Sequence, residues 1–321
     1  MTDPQAAATL RSTPLRQAHL DAGARMVPFA GWEMPVHYGS ALEEHLATRR
    51  SCGLFDVSHM GQVLVTGRGA TALVQAIVTR DISKLADGQQ AYTLLCADDG
   101  GILDDLIVAR LAADRWLIIV NAGPRVSDVE RMREIARRLG PADADLHDDS
   151  DNWAMIAVQG PEWQAVCTAV LGEGEWATLR PFRIAESTFQ GAPLLISTTG
   201  YTGERGCELL CPPAQAPALW DALRHAGGRP VGLAARDSLR LEMGYCLSGQ
   251  DFTVANNPFE AGLQWVVDLE KGDFAGAEAL RRMKVHPIRQ RLMGLLVEGR
   301  RIPRHGAKIL GGEATIGEVT S

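Results

Sequence analysis

The sequence predicts an α+β fold, and three features carry that expectation. Residues 61–150 of the 321-residue chain run strand, helix, strand, strand, helix, strand, the pattern of a split βαβ (ferredoxin-like) unit. A polar break, "DDSDN", near residue 150 opens a second block that again alternates strands and helices. After "HPIRQ" only short strand-like runs follow. Two or three domains are expected at this length.

Taken in order, "SALEEHLATRRS" has Leu42 and Leu46 four apart with charges elsewhere, an amphipathic helix after the cap residue Ser40. "FDVSHMGQVLVTG" turns strand-like, and "GATALVQAIV" predicts a helix. "AYTLLCADDGGILDDLIVARLAADRWLIIVNA" reads as strands broken by the turns "ADDGG" and "LAADR". "RVSDVERMREIARRLG" is a second amphipathic helix, stopped by Gly140 and Pro141. Beyond the break, "WAMIAVQGP" is a strand, "EWQAVCTAVLG" a helix and "PLLISTTGYTGERGCELLCP" a hairpin region. "APALWDALRHAGG" and "AARDSLRLEMGY" are helical, and "NNPFEAGLQWVVDL" opens on an Asn-Pro turn before a helix or strand. "RLMGLLVEG", "AKIL" and "ATIGEVTS" are short strands, the last two a hairpin around Gly311 and Gly312. Two strands alone are marginal, so the C-terminal β domain is expected to be incomplete.

With 46% hydrophobic and 22% charged residues the chain is globular in composition. A net charge of −7 with acids and bases interspersed argues against a nucleic-acid partner, although one arginine cluster could still meet an acidic small ligand. Cys52, Cys96, Cys167, Cys207, Cys211 and Cys246 lack metal or disulfide spacing and read as packed thiols. No run reaches the ~18 apolar residues of a membrane span. "MTDPQAAATLRSTPLRQ" has no apolar leader core, so the expected location is cytoplasmic.

Few catalytic motifs are present. Gly67, Gly69 and Ala72 fit G-x-G-x-x-A, yet Asp87, about where a dinucleotide site places its acid, falls in the turn "LADGQQ", so a plain strand-to-helix turn is expected. His59 in "DVSHMG" is a possible base or a structural histidine. Gly200, Gly203 and Gly206 recur around Tyr201, Glu204 and Glu208, where glycines could let backbone approach a ligand. Arg236 and Arg240 lie one helical turn apart and need acidic partners, internal or ligand. Glu260 reads as a cap or a pocket residue. In "GGILDDLIVAR" strand alternation sends Asp104 and Asp105 to opposite faces. One could then face a shielded cleft, hold a ligand N–H, take a proton or oppose developing positive charge. Two solvated acids at a strand-end bulge are the alternative.

"GARMVPFAGWEMPVHYGSALEEHLATRRSCGLFDVSHMGQ", "GGILDDLIV", "TGYTGERGCELL", "GLAARDSLRLEMGY" and "NPFEAGL", in that order from about residue 12 onward, closely resemble the aminomethyltransferase (T-protein) family of the glycine cleavage system. The resemblance implies a three-domain, ring-like arrangement with mostly antiparallel sheets. It divides the chain into a discontinuous folate-binding domain (1–60 with 151–275), the split βαβ domain (61–150) and the start of a C-terminal β-barrel or jelly-roll (276–321) that looks truncated. A chain so truncated is expected to bind folate more weakly than a longer one. Implied too are tetrahydrofolate as co-substrate, the lipoylated H-protein as partner, and no metal or nucleotide. Carried over by motif, Asp105 is the essential carboxylate and Asp104 the structural acid pointing away. Tyr92, Asn121, Tyr201, Glu208, Arg236 and Tyr245 are pocket residues, with Met60 packing on the ligand and Glu208 meeting the pterin's amino-pyrimidine edge. Thr198 stands where the family commonly has arginine, which leaves one local ion pair open. A related folate-dependent demethylase and a non-catalytic folate-binding or sensing protein are the rival readings; a dinucleotide-dependent oxidoreductase rests only on the glycine match.

Overall fold

A computed structural model describes residues 9–140, 143–299 and 301–321. The stretch 1–8, which opens the segment read above as lacking a leader, and Pro141 lie outside the described residues. The architecture is mixed α/β with mostly antiparallel sheets.

Six strands form one sheet, in the order Ile184–Phe189, Ala192–Ser197, Gly206–Cys211, Ala154–Gln159, Gly53–Asp56, Arg229–Pro230. Only the last pair is parallel. Helices Trp163–Leu171 and Ala216–His225 cover one face, burying Leu54, Ile156, Val158, Ile196, Leu209, Trp163 and Trp220. Five strands form a second sheet, in the order Gln90–Cys96, Ile102–Ala112, Arg115–Val120, Gly61–Thr66, Asp145–Asp148, all antiparallel. Helices Ala70–Ile77 and Arg125–Leu139 cover one of its faces, burying Val63, Leu106, Val108, Ile118, Leu73 and Met132. The uncovered faces meet through Phe55, Met155 and Leu210 on one side and Ala109, Leu117 and Ile119 on the other. The layers therefore run helices, sheet, sheet, helices.

The region 61–150 differs from expectation in one respect: three strands, not two, lie between its helices. The turns "ADDGG" and "LAADR" are both sharp reversals, and the extra strand, Gln90–Cys96, takes the sheet edge. A fourth core, containing Leu94, Cys96, Ile102, Phe252, Leu263, Phe274 and Leu280, packs the segment 252–283 on that edge.

Local signals explain several boundaries. Ser40 accepts the Glu43 N–H at 3.3 Å and starts the helix Ala41–Arg50. Gly140, at φ 78°, ends Arg125–Leu139 in a conformation that side chains disfavour. "RLMGLLVEG" does not form the expected strand; its apolar residues Met293, Leu295 and Leu296 are exposed, so no face is buried to hold one. Lys308–Gly311 and Ala314–Glu318 do pair as a hairpin. "NNPFEAGLQWVVDL" makes a turn and one 3-10 turn, Gln264–Val266, instead of a longer helix or strand. The six cysteines are free thiols, five of them buried. No helix among the described residues is long and apolar enough to cross a membrane.

Candidate active site

The two acids of "GGILDDLIV" lie near the start of the strand Ile102–Ala112, opposite Leu95 and Leu94, beside a bulge at Leu95/Cys96. Neither is fully solvated. Asp104 shares a face with Leu106 and Val108 and is wholly buried on the helix-covered side. Asp105 shares a face with Ile107 and Ala109, toward the space between the sheets, and is half-buried.

Asn121, immediately after the strand Arg115–Val120, ties the pair together. Its N–H donates to Asp104 Oδ2 at 2.9 Å, and its Nδ2 donates to Asp104 Oδ1 and to Asp105 Oδ1, both at 2.9 Å. Tyr92 donates its hydroxyl to Asp105 Oδ2 at 3.0 Å, and its ring stacks on Trp265 with centroids 5.7 Å apart. Burial, then the adjacent Asp104 charge, push the Asp105 carboxyl up to about 7, against the pull of the Tyr92 and Asn121 hydrogen bonds. If the anion is the working form, kcat falls about tenfold per unit as pH drops below about 7. A pH profile without an acid limb in that region contradicts this.

Four more predicted residues gather on the side of the six-stranded sheet. Arg236, on the helix Leu233–Glu242, sets its guanidinium 4.8 Å from the Tyr201 ring centroid, and Tyr201 stacks on Tyr245 at 5.9 Å. Tyr201 donates its hydroxyl to the Cys246 carbonyl. Glu208, on Gly206–Cys211, accepts a hydrogen bond from the Thr199 hydroxyl; burial raises its carboxyl above the usual range, against Thr199 and the Arg236 charge. The Asp105 charge acts on both Tyr201 and Tyr92, so the two groups of residues share one electrostatic neighbourhood. Met60 packs against the core between the sheets.

Arg236 and Arg240 separate cleanly. Arg240, 1% exposed, is held by Asp251 and Asp237, each at 2.7 Å, and by the Tyr245 carbonyl at 3.1 Å. Arg236 has no ion pair among the described residues and lies instead over the Tyr201 ring. Glu204 pairs with Arg49 at 2.9 Å, and Glu260 accepts from the Asn257 N–H as a turn cap. His59 is buried edge-on against Phe29, and burial, then the Arg236 charge, push it down to about 4, so it is neutral near pH 7.

The glycines of "TTGYTGERG" serve packing. A Cβ on Gly200 would stand 1.9 Å from Gln159 Oε1, one on Gly206 2.3 Å from the Val158 carbonyl, and one on Gly203 2.3 Å from Met243 Sδ. Gly200 and Gly206 are thus required by packing, and Gly203, at φ 81°, by its left-handed backbone. Thr198 donates to the Arg180 carbonyl at 2.6 Å and accepts from the Arg183 N–H at 2.9 Å, so its hydroxyl is engaged by backbone on both sides. Gly67 and Gly69 form a strand-to-helix turn in an antiparallel sheet, without the parallel crossover of a dinucleotide site.

Sequence reasoning missed the groups that orient Glu208. Gln90 Nε2 donates to Ser197 Oγ at 3.0 Å, and Ser197 and Thr199 share a hydrogen bond of 2.6 Å, so a polar chain runs from the edge of one sheet to Glu208 on the other. Trp265 and Asp128 carry no local signal either; Ser197 and Thr199 alone stand within the glycine-rich hairpin segment.

Residues 15–271 match the family described as the GCVT N-terminal domain. The chain belongs to this family. An aminomethyltransferase of Halothermothrix orenii is 44% identical, over 97% of this chain and 87% of the relative. One of Streptomyces avermitilis is 45% identical over 97% and 85%. The crystal structure of glycine cleavage system aminomethyltransferase T from Bartonella henselae is 37% identical and superposes with a TM-score of 0.88 over 97% of this chain and 85% of that one. The chain is accordingly a transferase, an aminomethyltransferase of glycine cleavage, and the demethylase and sensor readings draw no support from these relatives. Among its described residues no three His, Cys, Asp or Glu side chains are grouped to hold a metal ion.

Proposed function

We propose that this aminomethyltransferase takes tetrahydrofolate as co-substrate and the aminomethylated lipoyl arm of H-protein as donor, with Asp105 as the catalytic carboxylate. The bonds from the aminomethyl carbon to its departing nitrogen and to the lipoyl sulfur break. Two bonds from that carbon to folate nitrogens form. The two protons those nitrogens lose go to ammonia and to the thiol, leaving 5,10-methylene-tetrahydrofolate and dihydrolipoyl H-protein. The reading calls for no metal and no nucleotide, and it suits an enzyme of the cytoplasm.

The observation that carries it is the Asp105 carboxyl, half-buried, oriented by Tyr92 and Asn121, and pushed by burial up to about 7. Positive charge grows on the carbon as nitrogen leaves, and a fixed anion in a shielded space lowers its energy. The same oxygen can orient the folate amine and take its proton. Glu208, bonded by Thr199 at one oxygen, suits the two N–H donors of the amino-pyrimidine edge, and the Tyr201–Tyr245 stack with Arg236 supplies flat faces and a cation. This arrangement fits a folate domain of residues 1–60 with 151–275 meeting a second domain of 61–150. Residues 276–321 would belong to a third, closing a ring.

Calorimetric titration with tetrahydrofolate tests the pocket. Glu208→Gln is expected to weaken binding about 10–100-fold, the worth of a hydrogen bond to a charged group, with the fold intact. Unchanged affinity would remove Glu208 from the pocket.

A further inference from the structure

The geometry points to Asp128 as a positioning residue of the transfer: as the neutral acid it donates a hydrogen bond to Asp104, and through Asp104 and Asn121 it fixes the Asp105 carboxylate. The inference rests on the reading of Asp105 as the reacting group.

Asp128 lies in the first turn of the helix Arg125–Leu139, where its N–H donates to the Pro124 carbonyl at 2.9 Å. Its side chain is 1% exposed, beside Val129 and Met132 under the five-stranded sheet. Its Oδ2 is buried and receives no hydrogen bond from any described residue. Asp104, on the same side of that sheet, is in hydrogen-bonding contact with it. Two carboxylates in contact in a shielded space cannot both carry charge, and one proton between them turns repulsion into a hydrogen bond.

The remaining partners decide which carboxyl keeps that proton. Asp104 accepts two bonds from Asn121, both of which favour its anion. Asp128 has no such donors among the described residues. Burial, then the Asp104 charge, push the Asp128 carboxyl up to about 9. No described cation offers an alternative: Arg125 and Arg131, which flank Asp128 on the helix, are engaged by Asp148 and Asp151 and by Asp98 and Glu134. The chain of contacts then runs from the Asp128 hydroxyl to Asp104, from Asn121 to both acids, and so to Asp105 Oδ1.

Steady-state kinetics and infrared difference spectra of the full chain test this. Asp128→Asn, which keeps a donor and the shape, is expected to hold kcat within about threefold. Asp128→Leu is expected to lower kcat at least about tenfold, with KM for tetrahydrofolate within about twofold. Wild type minus Asp128→Asn at neutral pH should show one protonated-carboxyl stretch. Absence of that band, full kcat in Asp128→Leu, or equal losses in the two variants would overturn the proposal. Should Asp128→Leu fail to fold, the band together with retained kcat in Asp128→Asn supports it, and loss of either overturns it. Failure of the underlying reading shows differently, as an active Asp105→Asn enzyme that still carries the band.

Discussion

Asp105→Asn is expected to lower kcat by about 10²–10⁴-fold, the span of general acid–base and electrostatic contributions, while KM for tetrahydrofolate stays within a few-fold. The same substitution should raise thermal stability. A carboxyl held at about 7 by burial and by Asp104 favours the folded state while protonated. That contribution is complete below the unfolded value of about 4 and is lost as pH rises through about 7. Asparagine has no charge to bury and can still accept from Tyr92. The stabilisation should therefore be largest above pH about 7 and vanish toward pH about 4, in melts of both proteins across that range. An Asp105→Asn protein that turns over normally, or one that melts lower at every pH, would count against the assigned role.

Asp251→Ala should cost about 3–5 kcal/mol of folding free energy, the range for a buried ion pair broken on one side. Arg240 would keep Asp237 and the Tyr245 carbonyl but lose its buried partner, and the backbone N–H of Leu247 and the Thr320 hydroxyl would each lose an acceptor. Arg236→Leu is expected to behave in the opposite way, with stability within about 1 kcal/mol and tetrahydrofolate affinity down about tenfold, because its charge has no internal partner to abandon. Denaturant titration beside calorimetric binding reads both quantities. Equal stability losses in the two variants would show that Arg236, too, is a structural cation.

The contrast between these arginines marks how far the sequence could be read. Their one-turn spacing is plain, as is the need of each for an acid; Asp237 lies three residues before Arg240 on the same helix, yet Asp251 is found only by folding the chain. Helices announced themselves where periodicity and a terminal signal agreed, as with Ser40 ahead of Ala41–Arg50. The short apolar run "RLMGLLVEG" carried composition alone and formed no strand. The twin acids were legible because Asp is out of place in a strand. Asp128 was hidden in an amphipathic helix, where a single acid on the buried face looks like any surface residue until its neighbours are known. The bond between Gln90 and Ser197 joins positions 107 apart in sequence, and no local pattern encodes it. The same holds for Gly200 and Gly206, whose spacing suggested a ligand loop while Gln159 occupies the space.

Crystallography of the chain with tetrahydrofolate bound tests the central claim most directly. The expected electron density places the amino-pyrimidine edge on Glu208 and the folate nitrogens that receive the carbon within hydrogen-bonding reach of the Asp105 carboxylate. A folate seated elsewhere, or one whose reactive nitrogens face away from Asp105 while the pterin still contacts Glu208, would contradict it.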